Sequence, residues 1–424
     1  MKLKISNLGI IESMEIDMSK PFVLFAGGNG TGKTYMASFL YSMVWSLGEL
    51  FYREKNKNIL LVTKTLKTGI DGELDADQMY YLLSNYFKSK KKVFIQSLNL
   101  NIQTESFNCE IVTSKEEWEK EILAKEFYIK LRVGSIRKKK DSFSYSIRWS
   151  KNGNEDLMKT MFLLSAYFDG VFGSYMFTAE RGGIYTFSNE LAQWRVRFPV
   201  IAADFTYPRP IADGVANAID LVNFKNNHSK YDGFAEEIEK TIVHGSYSMT
   251  NDGKISFQTN DNHVLELNQI SSTAKTLAPL VFYLRNKAGS NNLLIIDEPE
   301  LNLHPVNQIF LARIFVKMMN AGIKLIISTH SDYIIREINN MIMADGLAKE
   351  NDPIVEELGY DNGMLLPQDK FAPYIFDFNS NGKVTVQSLE VDKFGFNMPS
   401  IDEAINGQNA NTETLYEILK YNYE

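Results

Sequence analysis

Four glycines crowd one short turn, Gly27, Gly28, Gly30 and Gly32, with Asn29 and Thr31 between them and Lys33-Thr34 directly after. Residues 27 to 34 fit the spacing G-x-x-x-x-G-K-[ST]. A turn of this kind lets backbone N–H groups converge on phosphate oxygens, because no Cβ blocks the approach. A helix opening at Lys33 adds the partial positive charge of its N-terminus. Lys33 would then reach the β- and γ-phosphates of a nucleotide, and the Thr34 hydroxyl would ligate Mg²⁺. Two further segments end in side chains that suit this ligand. Leu293-Leu294-Ile295-Ile296 runs into Asp297-Glu298, and Leu325-Ile326-Ile327 runs through Ser328-Thr329 into His330, one of five histidines. Asp297 can hold Mg²⁺, and Glu298 can accept a proton from an attacking water or orient it. His330 could donate a hydrogen bond to a γ-phosphate. Ser271-Ser272 opens a helical stretch reaching about Arg285, and a serine cap there leaves backbone N–H groups free for an anion.

The elements that must position these groups are legible around them. Phe22–Ala26 is a short apolar strand leading into the glycine turn. Met36, Phe39, Leu40, Met43, Val44 and Leu47 follow it at helical spacing. Lys2–Ile5 and Met14–Asp17 alternate like paired strands around Gly9. The apolar runs ending at Asp297 and His330 read as fully buried parallel strands, whose C-terminal ends are where such sheets bind ligands. A helix is expected over Asp77–Phe87. Residues 90 to 150 are expected to form an inserted antiparallel β lobe, beginning at Val93-Phe94-Ile95-Gln96. Its clearest part is a hairpin of Phe127–Val133 and Phe143–Trp149 turning at Arg137–Asp141. Helical composition recurs at Leu157–Tyr167, Ser188–Arg195, Ile211–Val222 and Phe234–Val243, and a hairpin turns at Asn251-Asp252-Gly253. The tail holds a hairpin, Tyr374–Phe378 with Lys383–Val391, and a helix near Glu413–Tyr421. The expected organisation is an α/β nucleotide domain over residues 1 to 345. It carries the β lobe of about 90 to 150 and a helical or mixed lobe of about 155 to 260, and a small α+β extension follows over 346 to 424.

Composition narrows the function classes. The chain has 424 residues and a net charge of −7, which argues against an overall nucleic-acid surface but not against a local groove. Two lysine clusters, Lys88–Lys92 and Lys138–Lys140, could touch phosphates, although a charged hairpin tip is commonly just solvated. The single cysteine, Cys109, excludes intrachain disulfides and suits a reducing cytoplasm; it reads as a small strand residue. No apolar run approaches the roughly 18 residues that span a membrane, so no membrane partner is expected.

The order of phosphate loop, Ser-Ser helix start, LLIIDEPELNLHP and IISTHS resembles ABC-type ATPases of the SMC/RecF/OLD group. The resemblance implies an ABC-type P-loop fold, with ATP and Mg²⁺ as cofactors. It makes Ser271-Ser272 the signature motif that completes the opposite subunit's site, Asp297-Glu298 the Walker B pair and His330 the switch-loop histidine. Glu300–Pro305 is similar to the PExxLHP continuation of OLD-like members, and Phe177–Arg181 to an xPAER element with Thr178 in the proline position. The signature glycine is replaced by Thr273, and Gln96 is only a weak candidate for the Q-loop glutamine.

The stretch after His330 is short for the nuclease domain of an OLD protein. The interval between Thr34 and Ser271 lacks the sustained heptads of SMC arms. The compact arrangement resembles the ATPase subunits of bacterial two-component antiphage systems, those of the PARIS type first and the Septu type second. That likeness implies a homodimer at minimum, which further contacts could build into a higher ring such as a hexamer. Its further partners would be a phage protein as trigger and a separate effector, a Toprim-type or HNH nuclease. A RecF-like repair ATPase with salt-sensitive DNA binding and a transporter motor are the other classes. The long interval and PExxLHP speak against the last.

Overall fold

The computed structural model describes residues 1–56, 68–98, 106–124, 128–131, 134–138, 143–149, 174–197, 207–221, 228–250, 254–290, 292–350 and 353–423. In chain order the strands begin with β1 (Lys2–Leu8), β2 (Ile11–Asp17), β3 (Phe22–Gly27) and β4 (Thr68–Leu74). They continue with β5 (Asn108–Ile111), β6 (Tyr128–Leu131), β7 (Gly134–Lys138), β8 (Phe143–Trp149) and β9 (Ser174–Phe177). Next come β10 (Gly245–Met249), β11 (Ile255–Thr259), β12 (Val264–Glu266) and β13 (Leu293–Asp297). The last three are β14 (Lys324–Thr329), β15 (Phe371–Phe378) and β16 (Val384–Ser388). Nine of them form the main sheet, ordered β5-β1-β2-β16-β15-β3-β14-β13-β9.

The centre of this sheet is parallel: β15, β3, β14, β13 and β9 all point the same way. Their near-continuous apolar sequences follow from burial on both faces. Alternation sends Val23, Phe25, Leu293, Ile295 and Ile326 to one face, where they pack with Met36, Phe39 and Leu40 of the helix Lys33–Asn56. Phe22, Leu24, Leu294, Ile296, Leu325 and Ile327 go to the other. There they meet the helices Ser272–Asn286, Pro305–Asn320 and Asp332–Lys349. The fold is mixed α/β, as the sequence predicts, and β1 and β2 pair antiparallel as expected.

Several segments differ from the sequence reading. Val93–Gln96 is not the first strand of a β lobe but the last turn of the helix Ala76–Ser97. An Asp75/Gln78 capping box starts that helix, and Met79, Leu83, Tyr86, Phe87 and Ile95 carry its buried stripe past the lysine run. The antiparallel lobe is present as a four-stranded sheet, β4-β8-β7-β6, and it draws β4 from residues before 90. The expected hairpin is two: Gly134 opens a third strand that places Arg137 and Lys138 in β7. The strands β15 and β16, expected in a C-terminal extension, lie in the middle of the main sheet between β2 and β3. The final helix runs over Pro399–Tyr423 and exposes Leu415, Tyr416, Ile418 and Leu419. The expected helix Leu157–Tyr167 and the turn at 251–253 lie outside the described residues. Among the described residues no helix is long and apolar enough to cross a membrane.

Candidate ATP site

The C-terminal ends of β3, β13 and β14 are adjacent in register, so the glycine turn, Asp297-Glu298 and Ser328–His330 meet at one edge of the sheet. The turn closes through left-handed glycines, Gly27 at φ +135°, Gly30 at +73° and Gly32 at +89°, conformations in which L side chains are strained. Thr31 Oγ1 donates to the Gly28 carbonyl at 2.9 Å. Residues Asn29, Gly30, Thr31, Gly32, Lys33, Thr34 and Tyr35 face Glu298, Glu300, Leu301 and His330 across a cleft of about 540 Å³.

The Lys33 ammonium donates to the Gly27 and Gly28 carbonyls at 3.0 and 2.7 Å. Burial pulls its pKa down to about 8, against the opposing pull of Asp297, Glu298 and Glu300. Thr34 Oγ1 donates to Asp297 Oδ2 at 2.8 Å, and Ser328 Oγ donates to Asp297 Oδ1. Asp297 is buried and its pKa is raised by that burial, with both hydroxyl donors opposing the rise. A hydroxyl and a carboxylate side by side at a helix N-terminus are the hard oxygen donors that Mg²⁺ takes. These two residues therefore fit the metal that a nucleotide brings.

Glu298 sits at φ +47°, a left-handed conformation that is uncommon for a residue with a side chain. Its N–H donates to the Ser328 carbonyl at 2.9 Å, and burial, then Asp297, raises the pKa of its carboxyl. His330 Nε2 lies 3.8 Å from Glu298 Oε1. Burial lowers the His330 pKa, the nearby Lys33 lowers it further, and a hydrogen bond with the Gly27 backbone opposes the shift. Glu300 Oε1 accepts from the His330 backbone N–H at 2.6 Å, while Oε2 has no partner among the described residues.

Ser271 caps the helix Ser272–Asn286 through the Ala274 N–H at 3.2 Å. Ser271 and Ser272 are both exposed and lie outside the lining of the cleft. Thr273, at the signature-glycine position, donates to the Asn302 carbonyl at 2.5 Å. Gln96 is exposed on the helix Ala76–Ser97 and also lies outside the lining. Sequence reasoning missed Ser328 as a partner of Asp297, Tyr35 and Glu300 in the lining, and the contacts of Arg181. The polar strand end in IISTHS held a signal for the first.

A phosphate loop that opens a helix, a strand-end acid bonded to the loop's threonine, a second acid and a histidine together define an ATP-hydrolysing P-loop ATPase of the ABC type. Two domain matches agree with this class: an AAA ATPase domain over residues 207–335 and an AAA domain over residues 2–170. No curated protein matches the chain. Among solved structures, the chain is similar to an SMC head bound to the C-winged helix domain of ScpA. That pair is 11% identical, with 92% of this chain and 98% of that one covered and a TM-score of 0.40. The SMC head domain from Thermotoga maritima is 11% identical over 92% and 98%, with a TM-score of 0.34. An Smc head with an extended coiled coil, bound to the C-terminal domain of ScpA and derived from Pyrococcus furiosus, is 13% identical over 96% and 98%, at 0.39. The class rests on the site and the domain matches, not on these scores.

Proposed function

We propose that the protein is an ATP-driven switch in which two copies clamp nucleotide between them. The phosphate loop of one copy, Gly27–Thr34, holds the phosphates with Lys33, and Thr34 with Asp297 holds Mg²⁺. Glu298 orients the attacking water, and His330 donates to the γ-phosphate. Ser271 and Ser272 of the other copy close the site. The observation that carries this reading is that the serine-capped helix start is exposed yet lies outside the cleft of its own chain. Its free N–H groups suit the phosphates of a second copy. Two chains are then the smallest working unit, and a larger closed ring is compatible with the same interface.

The change of shape between bound and free states would hold or release a separate effector. The exposed apolar residues of the final helix support a protein partner. Together with the motif resemblance, this makes the favoured setting an antiphage system in which a phage protein triggers release of a nuclease of Toprim type. Light scattering tests the clamp: the Glu298→Gln protein should dimerise or assemble further on adding ATP and hydrolyse it at least about a hundredfold more slowly than wild type. A monomer with ATP bound refutes the clamp. A pull-down from the native host identifies the setting. A neighbouring nuclease supports the switch, whereas ATP-dependent, salt-sensitive DNA binding without any partner points to a repair ATPase.

A further inference from the structure

Arg181 opens the helix Arg181–Arg197 just past the end of β9, beside the catalytic cleft but outside its lining. It is 4% exposed. Its guanidinium donates through Nε to the Thr276 carbonyl at 3.2 Å and through Nη1 to the carbonyls of Thr178 at 3.1 Å and Asp297 at 2.8 Å. Nη2 donates to the Glu298 carbonyl at 3.0 Å. One side chain thus bridges three separate segments: the end of β9, the end of β13 and the helix Ser272–Asn286. Its direct acceptors are all main-chain carbonyls; burial draws the Arg181 pKa down to about 10, although the carboxylates of Glu300, Asp297, Glu298 and Glu180 nearby favour the charged form. An apolar side chain in its place would take this donor from all four carbonyls, so the fork fixes the relative geometry of the segments it bridges.

That purpose is visible at Glu298. Its backbone is held in a left-handed conformation, with the N–H tied to Ser328 and the carbonyl tied to Arg181. The same guanidinium grips the helix whose first residues are Ser271 and Ser272. A second tie runs alongside: Asn302 Nδ2 donates to Thr276 Oγ1 at 3.1 Å, and Asn302 itself is left-handed at φ +61°. We propose that Arg181 is a positioning residue that couples the serine-capped helix to the backbone of Glu298, so that movement of that helix sets whether the Glu298 carboxylate is aimed at the attacking water. The coupling rests on the assignment of Glu298 to the hydrolytic step. It does not depend on the number of subunits.

A double-mutant cycle in the full-length protein tests this, using Arg181→Lys, Glu298→Gln and the pair, with single-turnover ATP hydrolysis and binding of a fluorescent ATP analogue as readouts. Lysine keeps the charge but lacks the planar fork. Misplacement of a reacting group by about 1 Å costs up to about a hundredfold in rate. Arg181→Lys should therefore lower kcat at least about tenfold with nucleotide affinity within about threefold of wild type. Added to Glu298→Gln it should cost less than about twofold more, since the aimed group is already gone. Equal losses in both backgrounds, a raised KM at unchanged kcat, or wild-type kcat each overturn the proposal. If Glu298→Gln alone turns over like wild type, the assignment of Glu298 fails and the coupling fails with it, an outcome distinct from additivity. Should Arg181→Lys not fold, Arg181→Gln, which keeps a planar donor group but cannot reach all four carbonyls, carries the cycle with the same expectations.

Discussion

Replacing Gly27 by alanine tests how closely the phosphate loop and β15 are fitted together. Gly27 is the last residue of β3 and pairs in parallel register with Phe376. A Cβ built on it would overlap the Phe376 carbonyl oxygen and lie 3.1 Å from that residue's nitrogen and carbonyl carbon. These are backbone atoms within a sheet, so they cannot swing aside as a side chain tip would. Two costs add. The backbone at φ +135° is open to glycine and strained for alanine by about 1 to 3 kcal/mol. Overpacking a fixed neighbour adds about 1 to 3 kcal/mol more. Gly30 is the internal control, left-handed at +73° with nothing within 4 Å of its would-be Cβ. Gly30→Ala should cost only the backbone term, about 1 to 2 kcal/mol. Urea unfolding followed by circular dichroism, alongside ATP-analogue binding, measures both. Gly27→Ala should lose about 2 to 6 kcal/mol and bind nucleotide weakly. Equal stability of the two variants would refute the argument that β15 backs the loop.

The remaining predictions concern the site's charges. Lys33 is held at a pKa of about 8 by burial, so its charge is lost as pH rises through that value, and phosphate binding must then restore the proton. ATP affinity should be flat below about pH 8 and weaken by up to tenfold per unit above it; a constant Kd between about pH 7 and 9.5 contradicts this. Asp297→Asn removes the carboxylate that Thr34 and Ser328 address. ATP binding should then stop responding to Mg²⁺, which titrations with and without a chelator will show, and turnover should drop at least about a hundredfold. His330→Ala should cut kcat by about 10- to 100-fold with little change in affinity, because the lost donor acts on charge that develops in the transition state. An unchanged kcat removes the histidine from that step.

What the sequence disclosed and what it hid divide along physical lines. The phosphate loop and the strands ending at Asp297 and His330 were legible because their information is local: glycine spacing, continuous burial and a polar residue at the strand end. The helical continuation through Val93–Gln96 was misread because a lysine run interrupts its apolar stripe, although Ile95 and Leu98 resume it. The place of β15 and β16 was hidden because the buried apolar run at the start of Phe371–Phe378 fits any buried position, and nothing in it names its neighbours. Arg181 was singled out, but its four acceptors are main-chain carbonyls, which every residue possesses and which leave no trace in residue type.

The insertion of β15 and β16 between β2 and β3 has a consequence for how the protein comes to exist on the ribosome. The Asp17 N–H finds its acceptor, Tyr374 Oη, 357 positions further along the chain. β3, which carries the phosphate loop, is flanked by β14 and β15, both encoded in the last third of the chain. At about 5 to 20 residues per second, the strand waits roughly 15 to 60 s for β14 and longer for β15. Throughout that time its apolar edges are open to any other strand that arrives first. Closing so long a loop also slows the search for the correct neighbour. The nucleotide pocket is therefore among the last parts of the molecule to be completed, and the growing chain passes through most of its synthesis as an aggregation-prone species that does not yet bind ATP.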